Sequence, residues 1–399
     1  MEQKANKLPE GFDSLQDAQK QKFLNLKKLK DEGKKVVGIY CSYVPTELIY
    51  AAGAIPVSLC AVSEKPIAAG ERDLPRNLCP LIKASYGHAI TDTCPFFYFS
   101  DLIIGETTCD GKKKMYELLN NVKETHVIQL PQNNIDPEGY PFFKEQIIKF
   151  KEKLEDYFDI TITEDDIRKA IKDGNEEKKN LVEFFKLSSL EPSPISGLEQ
   201  FNVNEAFGFQ YDRKKKNEEV KTRTKELKDY WEKELKGTKD ERPRILVSGC
   251  PAGGVKDKIL KTIEDLGGVI VGYDSCSGLR TYMQLVDEDP NRDPYEALAE
   301  KYLGVNCSVM SPNPGRMKDL DYLLDFYHVD GVIEMTLVAC HTFNLESYEV
   351  KKKVESHDIP YIHIESDYSQ NDSGQVRTRI EAFLEIVRDN MQYKEEAYN

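Results

Sequence analysis

The chain has no run approaching the ~18 apolar residues that a membrane-spanning helix requires. Its first twenty residues, MEQKANKLPEGFDSLQDAQK, contain no apolar stretch of the secretory kind. The expected compartment is therefore the cytoplasm, with no membrane partner. A basic surplus is missing as well: 55 Lys and Arg stand against 69 Asp and Glu, for a net charge of −14. A nucleic-acid partner would call for a basic face against its phosphates, so that class is set aside. No CxxC pair occurs among the nine cysteines, which removes the short knuckle from which structural zinc sites usually take two ligands. A nucleotide loop is absent too. GCPAGG at residues 249–254 is glycine-rich but lacks the GK[ST] ending and the GxGxxG spacing, and no nucleotide is expected on this chain.

What the chain does have is cysteine in a pattern. Cys41 closes KVVGIYC, Cys109 follows DLIIGETTC, Cys250 closes RILVSGC, Cys276 follows VIVGYDSC and Cys340 ends GVIEMTLVAC. Each prefix reads as a buried strand. In open α/β sheets, ligands bind at the carboxyl ends of strands. In a reducing compartment such cysteines are thiols, metal ligands or buried apolar residues rather than disulfides, and an odd count fits a full disulfide framework poorly.

With 399 residues there is room for two or three domains. Residues 1–35 form an N-terminal helical segment, in which about 12–33 read as an amphipathic helix on Leu15, Phe23, Leu24, Leu26 and Leu29, closed by Gly33. Residues 36–136 alternate strand and helix, as a parallel sheet demands. Residues 137–242 are rich in Lys, Glu, Phe and Leu at helical spacing and read as a helical connector. In it Thr163 and Asp166 form a helix-start pair, and EPSPISG (191–197) makes a break. The alternation restarts over 243–399, with strands expected at RILVSG, VIVGYD, VNCSVMS, DGVIEMTL and YIHIESD and a long helix at VKDKILKTIEDLGG. The two alternating regions echo each other: strand–Cys41–helix–Gly53 parallels strand–Cys250–helix–Gly267, Cys60 parallels Cys276, and Cys109 parallels Cys340. The expected fold is α/β: two Rossmann-like lobes with parallel sheets plus the helical connector, with the strand ends of the lobes facing across a cleft.

Thiolates are soft donors suited to iron–sulfur clusters, and Gly, Ser, Thr and Pro beside them leave room for a cluster and its hydrogen bonds. NLCPLIKASYG, TTCDGKKK, GCPAGG, DSCSG and VACHT have that look. Four thiolates around zinc are a second reading. A nucleophilic cysteine is a third, since His341 adjoins Cys340 and His88 lies between Cys79 and Cys94. The plain alternative for any lone thiol is a small buried apolar residue, which suits Cys60 and Cys94 best. GRMKDL (315–320) and the lysines at 112–114 read as helix surface; the lysines beside Cys109 would also offset cluster charge.

GIYCSYVPTELIYAAGAIPVSLC, DLPRNLCPLIKASYG, DLIIGETTCDGKKKMYELL, ILVSGCPAGG and VACHTFNLES together resemble the 2-hydroxyacyl-CoA dehydratase D-component family. Within it they are most similar to the double-cubane-cluster branch of stand-alone anaerobic reductases. The resemblance implies a homodimer and an oxygen-sensitive cluster. In the dehydratase subunits one [4Fe-4S] cube hangs on three cysteines, which match Cys79, Cys109 and Cys340. The stand-alone branch holds a double cubane, [8Fe-9S], on six, for which Cys41, Cys276 and Cys307 complete the set and Cys250 is the reserve. A separate iron–sulfur ATPase is implied as the electron donor, with a small molecule as substrate. Three functions follow: a reductase of this kind, an (R)-2-hydroxyacyl-CoA dehydratase subunit, and a non-catalytic electron carrier. Glu47 and His341 are weak candidates for catalysis. For Glu47 the alternative is an exposed helix carboxylate, and for His341 a structural histidine after a strand. Lys83, Ser85 and Tyr86 are expected to pack.

Overall fold

The computed structural model describes residues 17–398. Leu15, and the start of the first helix at about residue 12, lie outside them. The chain divides into two compact units, Met1–Leu130 with Gln146–Ala170, and Pro131–Glu145 with Ile171–Asn399.

The first unit is built on a four-stranded parallel sheet of β1 (Lys35–Ile39), β2 (Ala54–Ser58), β3 (Leu102–Glu106) and β4 (Thr125–Ile128), in the order β2-β1-β3-β4. The second is built on β5 (Arg244–Gly249), β6 (Val269–Asp274), β7 (Gly331–Leu337) and β8 (Tyr361–Ser366), in the order β6-β5-β7-β8. All pairings are parallel. The expected two-lobed α/β class holds, and the sequence echo is an echo of topology. Gly53 and Gly267, which end the paired helices, both have positive φ, 67° and 85°.

Central strands with helices on both faces need side chains that are mostly apolar. The central strands β3, β5 and β7 are buried at every position, and so is the edge strand β6, whereas the edge strands β4 and β8 keep partly open residues. In the second unit Leu246, Val271 and Val332 of the sheet meet Leu320, Leu323, Val350 and Val354 of its helices in one core. In the first, Val36, Val37, Ile103 and Ile104 are buried alongside Met115 and Leu119.

Among the described residues between 137 and 242 lie the helices Gly139–Phe158, Glu164–Phe185, Gly197–Gly208 and Arg213–Tyr230 and no strand. The division between the compact units falls inside the first two. Thr163 and Asp166 cap the second reciprocally: the Thr163 amide donates to Asp166 at 3.0 Å and the Asp166 amide to Thr163 Oγ1 at 3.2 Å.

Two expectations fail here. VNCSVMS is a turn, not a strand: Asn306 takes a left-handed φ of 53° and Met310 donates its amide to the Cys307 carbonyl at 3.0 Å. VKDKILKTIEDLGG is helical only over Leu260–Asp265, after a short 3₁₀ turn at Gly253–Val255. There the Lys258 ammonium is drawn inward to the Asp367 and Ser369 carbonyls and the Asp372 carboxylate. No helix among the described residues is long and apolar enough to cross a membrane.

Candidate functional site

In an open parallel sheet the ligand crevice lies where the strand order reverses. In the first unit that point is between the carboxyl ends of β1 and β3, and in the second between β5 and β7. Cys41 follows β1 by two residues and Cys109 follows β3 by three. Cys250 follows β5 directly and Cys340 follows β7 by three. Each switch point is thus flanked by a pair of cysteines. Cys60 and Cys276 each stand two residues beyond the adjoining edge strand. All nine cysteines are thiols.

Their surroundings divide them. Cys79, Cys109 and Cys340 immediately precede the helices Pro80–Ile90, Asp110–Leu119 and His341–Glu355, and none caps its helix through sulfur. The positive end of a helix favours a thiolate or an anionic group. Cys60 instead donates its thiol to the Tyr40 carbonyl at 2.8 Å, and burial pushes its pKa up despite the opposing charge of Lys112. Cys94 precedes a five-residue helix and accepts the Phe97 amide at 3.5 Å; burial again pushes its thiol up. These two carry the stamp of packing residues. Cys250 is buried, with its sulfur accepting the Leu337 amide at 3.4 Å across the β5–β7 junction. Cys41, Cys276 and Cys307 are partly open.

Within the first unit the thiol-bearing segments are tied together. Gly111, two residues past Cys109, packs so closely against Leu78 and Ile82 that an added Cβ would lie 3.1 and 2.7 Å from their tips. The Cys109 helix and the Cys79 turn are therefore neighbours. Glu106, ending β3 and wholly buried, accepts the Tyr43 amide at 3.1 Å from the loop that carries Cys41. Lys112 donates to the Tyr40 carbonyl of that loop at 3.2 Å. The reading of Lys112 as helix surface is corrected: only Lys113 and Lys114 are exposed. Burial raises Glu106 to about 7, against the pull of Lys112 and of the Tyr43 and Val44 amides.

In the second unit sequence reasoning missed a buried ion network. Arg316, in the GRMKDL segment read as surface, has no solvent exposure and pairs with Asp274 at 2.9 Å, Glu334 at 3.5 Å and Glu346 at 2.5 Å. Arg280 reaches Asp274 at 3.1 Å from the other side. Burial would raise Asp274, but the two guanidinium groups and the Ser248 hydroxyl outweigh it and hold it at about 2. Glu334 goes the other way: burial lifts it to about 7 despite Arg316. The signal available in the sequence was Glu334 itself, a charge inside the apolar run GVIEMTL that demands a buried partner.

The weaker candidates land as follows. Glu47 is 1% exposed in the first turn of the helix Thr46–Ala51, not an exposed carboxylate. His341 is exposed at the first position of its helix. Lys83 donates to Glu71 and the Arg76 carbonyl, both at 2.8 Å, Ser85 accepts the Ala61 amide at 3.2 Å, and Tyr86 donates to Asp73 at 2.9 Å. These three build the scaffold.

The profile of the family described as "2-hydroxyglutaryl-CoA dehydratase, D-component" matches residues 41–387. The chain belongs to this family. Among similar proteins, "Putative dehydratase subunit YjiM" of Escherichia coli (strain K12) is 44% identical, over 95% of this chain and 98% of its own length. The "(R)-phenyllactyl-CoA dehydratase beta subunit" of Clostridium sporogenes is 26% identical over 91% and 94%. A benzoyl-CoA reductase subunit of Thauera aromatica is 24% identical over 87% and 88%. Membership of the D-component family agrees with the resemblance drawn from the cysteine-bearing motifs.

The donor set suits iron and sulfide: thiols at two sheet switch points, three thiols (Cys79, Cys109 and Cys340) directly before helix N-termini, and buried cations in both units. Among the described residues no three His, Cys, Asp or Glu side chains are gathered as ligands of one metal ion. In a cube each thiolate binds a different iron, so its ligands stand farther apart than those of a single ion.

Proposed function

We propose that this chain is an iron–sulfur redox enzyme. It takes low-potential electrons from a separate iron–sulfur ATPase and reduces a small substrate at a double-cubane [8Fe-9S] cluster. The proposed thiolates are Cys41, Cys79 and Cys109 of the first unit and Cys276, Cys307 and Cys340 of the second, with Cys250 in reserve. The observation that carries this reading is the repetition of one strand order with a cysteine three residues past the strand beyond each switch point, Cys109 after β3 and Cys340 after β7, each directly before a helix.

When bound, the cluster supplies storage and transfer of electrons at low potential. The remaining tasks fall to side chains. Cys79, Cys109 and Cys340 hold their sulfurs where helix amides favour negative charge. Lys112, buried and reaching the loop of Cys41, sets a fixed cation beside thiolates. Glu106 keeps its proton up to about neutral pH, which leaves a proton stored near the β1–β3 switch point. Assembly into a larger complex fits relatives that are named as subunits; a homodimer and a cytoplasmic location belong to the same proposal.

One observation favours a second reading. The three cysteines matched to the single-cube dehydratase subunits are the three that precede helices of ten or more residues. That reading makes the chain an (R)-2-hydroxyacyl-CoA dehydratase subunit. Iron and acid-labile sulfide, counted on protein purified without oxygen, separate the two: about eight irons per chain for the double cubane and about four for the single cube. A count near four would overturn the double cubane. A count near zero after reconstitution would overturn both.

A further inference from the structure

We propose that Arg316 is the positioning residue that holds the loops of Cys276, Cys307 and Cys340 in one fixed arrangement. The inference rests on the cluster reading above and concerns only the second unit. The guanidinium group sits at the hub of that unit's thiol-bearing segments. Its Nε and Nη2 donate to Asp274 at 3.2 and 2.9 Å, two residues before Cys276. Nη2 also donates to Ser248 Oγ on β5 at 3.0 Å. Nη1 donates to Glu346 at 2.5 Å, on the helix that Cys340 precedes, and the guanidinium lies 5.0 Å from the Phe343 ring of the same helix.

The Cys307 turn is reached in two ways. Arg280, paired with the same Asp274, donates to the Asn306 carbonyl at 2.9 Å. Asn313, whose side chain accepts the Arg316 amide, donates to the Cys307 carbonyl at 3.0 Å and to Glu346 at 2.8 Å. The residues before two of these cysteines need such restraint. Asn306 and Ala339 both take left-handed backbone, with φ of 53° and 57°, a conformation that non-glycine residues hold only where the surroundings fix it.

Stability alone does not call for this network. A buried ion cluster is often matched or surpassed by apolar side chains of the same volume. What five donors in a rigid fork add is direction: one side chain sets β5, the turn after β6 and the helix after β7 against one another. Residues that orient ligands from behind typically change metal retention by ~10–100-fold when altered.

Arg316→Lys tests this, because it keeps the charge and loses the fork. Two readouts are taken on protein whose circular dichroism matches the wild type. In metal-free protein, iodoacetamide labelling mapped by mass spectrometry should run about threefold or more faster at Cys276, Cys307 and Cys340, as local opening becomes easier. Labelling at Cys41, Cys79 and Cys109 should stay unchanged. In reconstituted protein, retained iron should fall by roughly tenfold on dilution, with an altered electron paramagnetic resonance signal in what remains. If Arg316→Lys does not fold, Glu346→Gln carries the same two readouts. Wild-type labelling rates and wild-type iron retention in a folded variant would overturn the role of Arg316. A wild-type chain that takes up no iron or sulfide would instead overturn the cluster reading, and the labelling pattern would still decide whether Arg316 orders the three thiols.

Discussion

Cys60 and Cys109 both lie just past a strand of the same sheet, yet they meet different fields. The Cys60 thiol is spent on the Tyr40 carbonyl, and burial keeps it protonated. Cys109 precedes a ten-residue helix, with the buried Lys112 in its first turn. A metal ligand must be deprotonated, so the second setting suits the task and the first resists it. Cys109→Ala and Cys340→Ala should each lose at least half the iron retained by the wild type, whereas Cys60→Ala should keep it all. Iron assays on the three reconstituted variants check this, and equal content in all three would contradict the assignment. The contrast was readable in part from the letters: small neighbours around Cys109 and Cys340, apolar ones around Cys60. Arg316 was not. A lone arginine in the first turn of a polar helix looks like surface until β7 is seen to present Glu334 to it.

At the level of elements, register explains why β5 ends on a glycine. Gly249 has φ of 109°, and an added Cβ would sit 2.1 Å from the Met335 carbonyl oxygen of β7. That carbonyl accepts the Cys250 amide at 2.8 Å. A side chain at 249 would therefore meet both backbone strain and a clash with main chain that cannot rotate away. Gly249→Ala should cost roughly 2–4 kcal/mol, seen as a lower thermal midpoint of metal-free protein; an unchanged midpoint would mean that β5 and β7 part easily. Strands were the legible elements, because central parallel strands are mostly apolar along their length and their limits are marked by Gly, Cys and Pro. The turn at Cys307 was not legible. VNCSVMS has the composition of a strand, and the hydrogen bonds that deny it one come from far along the chain: Arg280 to Asn306, and Gln132, whose carbonyl accepts the Ser311 amide at 2.9 Å. The helix expected over residues 255–268 failed for a similar reason, since the buried anchorage of Lys258 draws the chain out of helical geometry.

Across the whole molecule, the buried titrating groups are not shared evenly between the units, and this sets opposite acid responses. His88 and His126 of the first unit are held by burial at about 4. Between pH 6.5 and 4 the unfolded chain takes up these two protons and the folded chain does not, so acidification destabilises. Glu106, raised to about 7, works in the reverse sense: the folded state holds a proton that the unfolded state releases above about 4.5, so acidification stabilises. Two histidines against one glutamate leave the first unit a net loss of roughly 2–3 kcal/mol from pH 6.5 to 4.5. In the second unit Glu334, also near 7, gives a gain over the same range, trimmed by His363, which burial lowers. Asp274, held at about 2, enters only below its unfolded value, where its stabilisation is lost. In metal-free protein the first unit should therefore lose thermal stability relative to the second as the pH falls from 6.5 to 4.5, and melt earlier at the lower pH. The single tryptophan, Trp231, belongs to the second unit, so its fluorescence should lag behind the loss of helix read by circular dichroism. The double variant His88→Gln, His126→Gln should close the gap, because it removes the two groups that favour the unfolded first unit in acid. If the two signals coincide at pH 4.5 in the wild type, or the double variant leaves them apart, the histidines are not what separates the units.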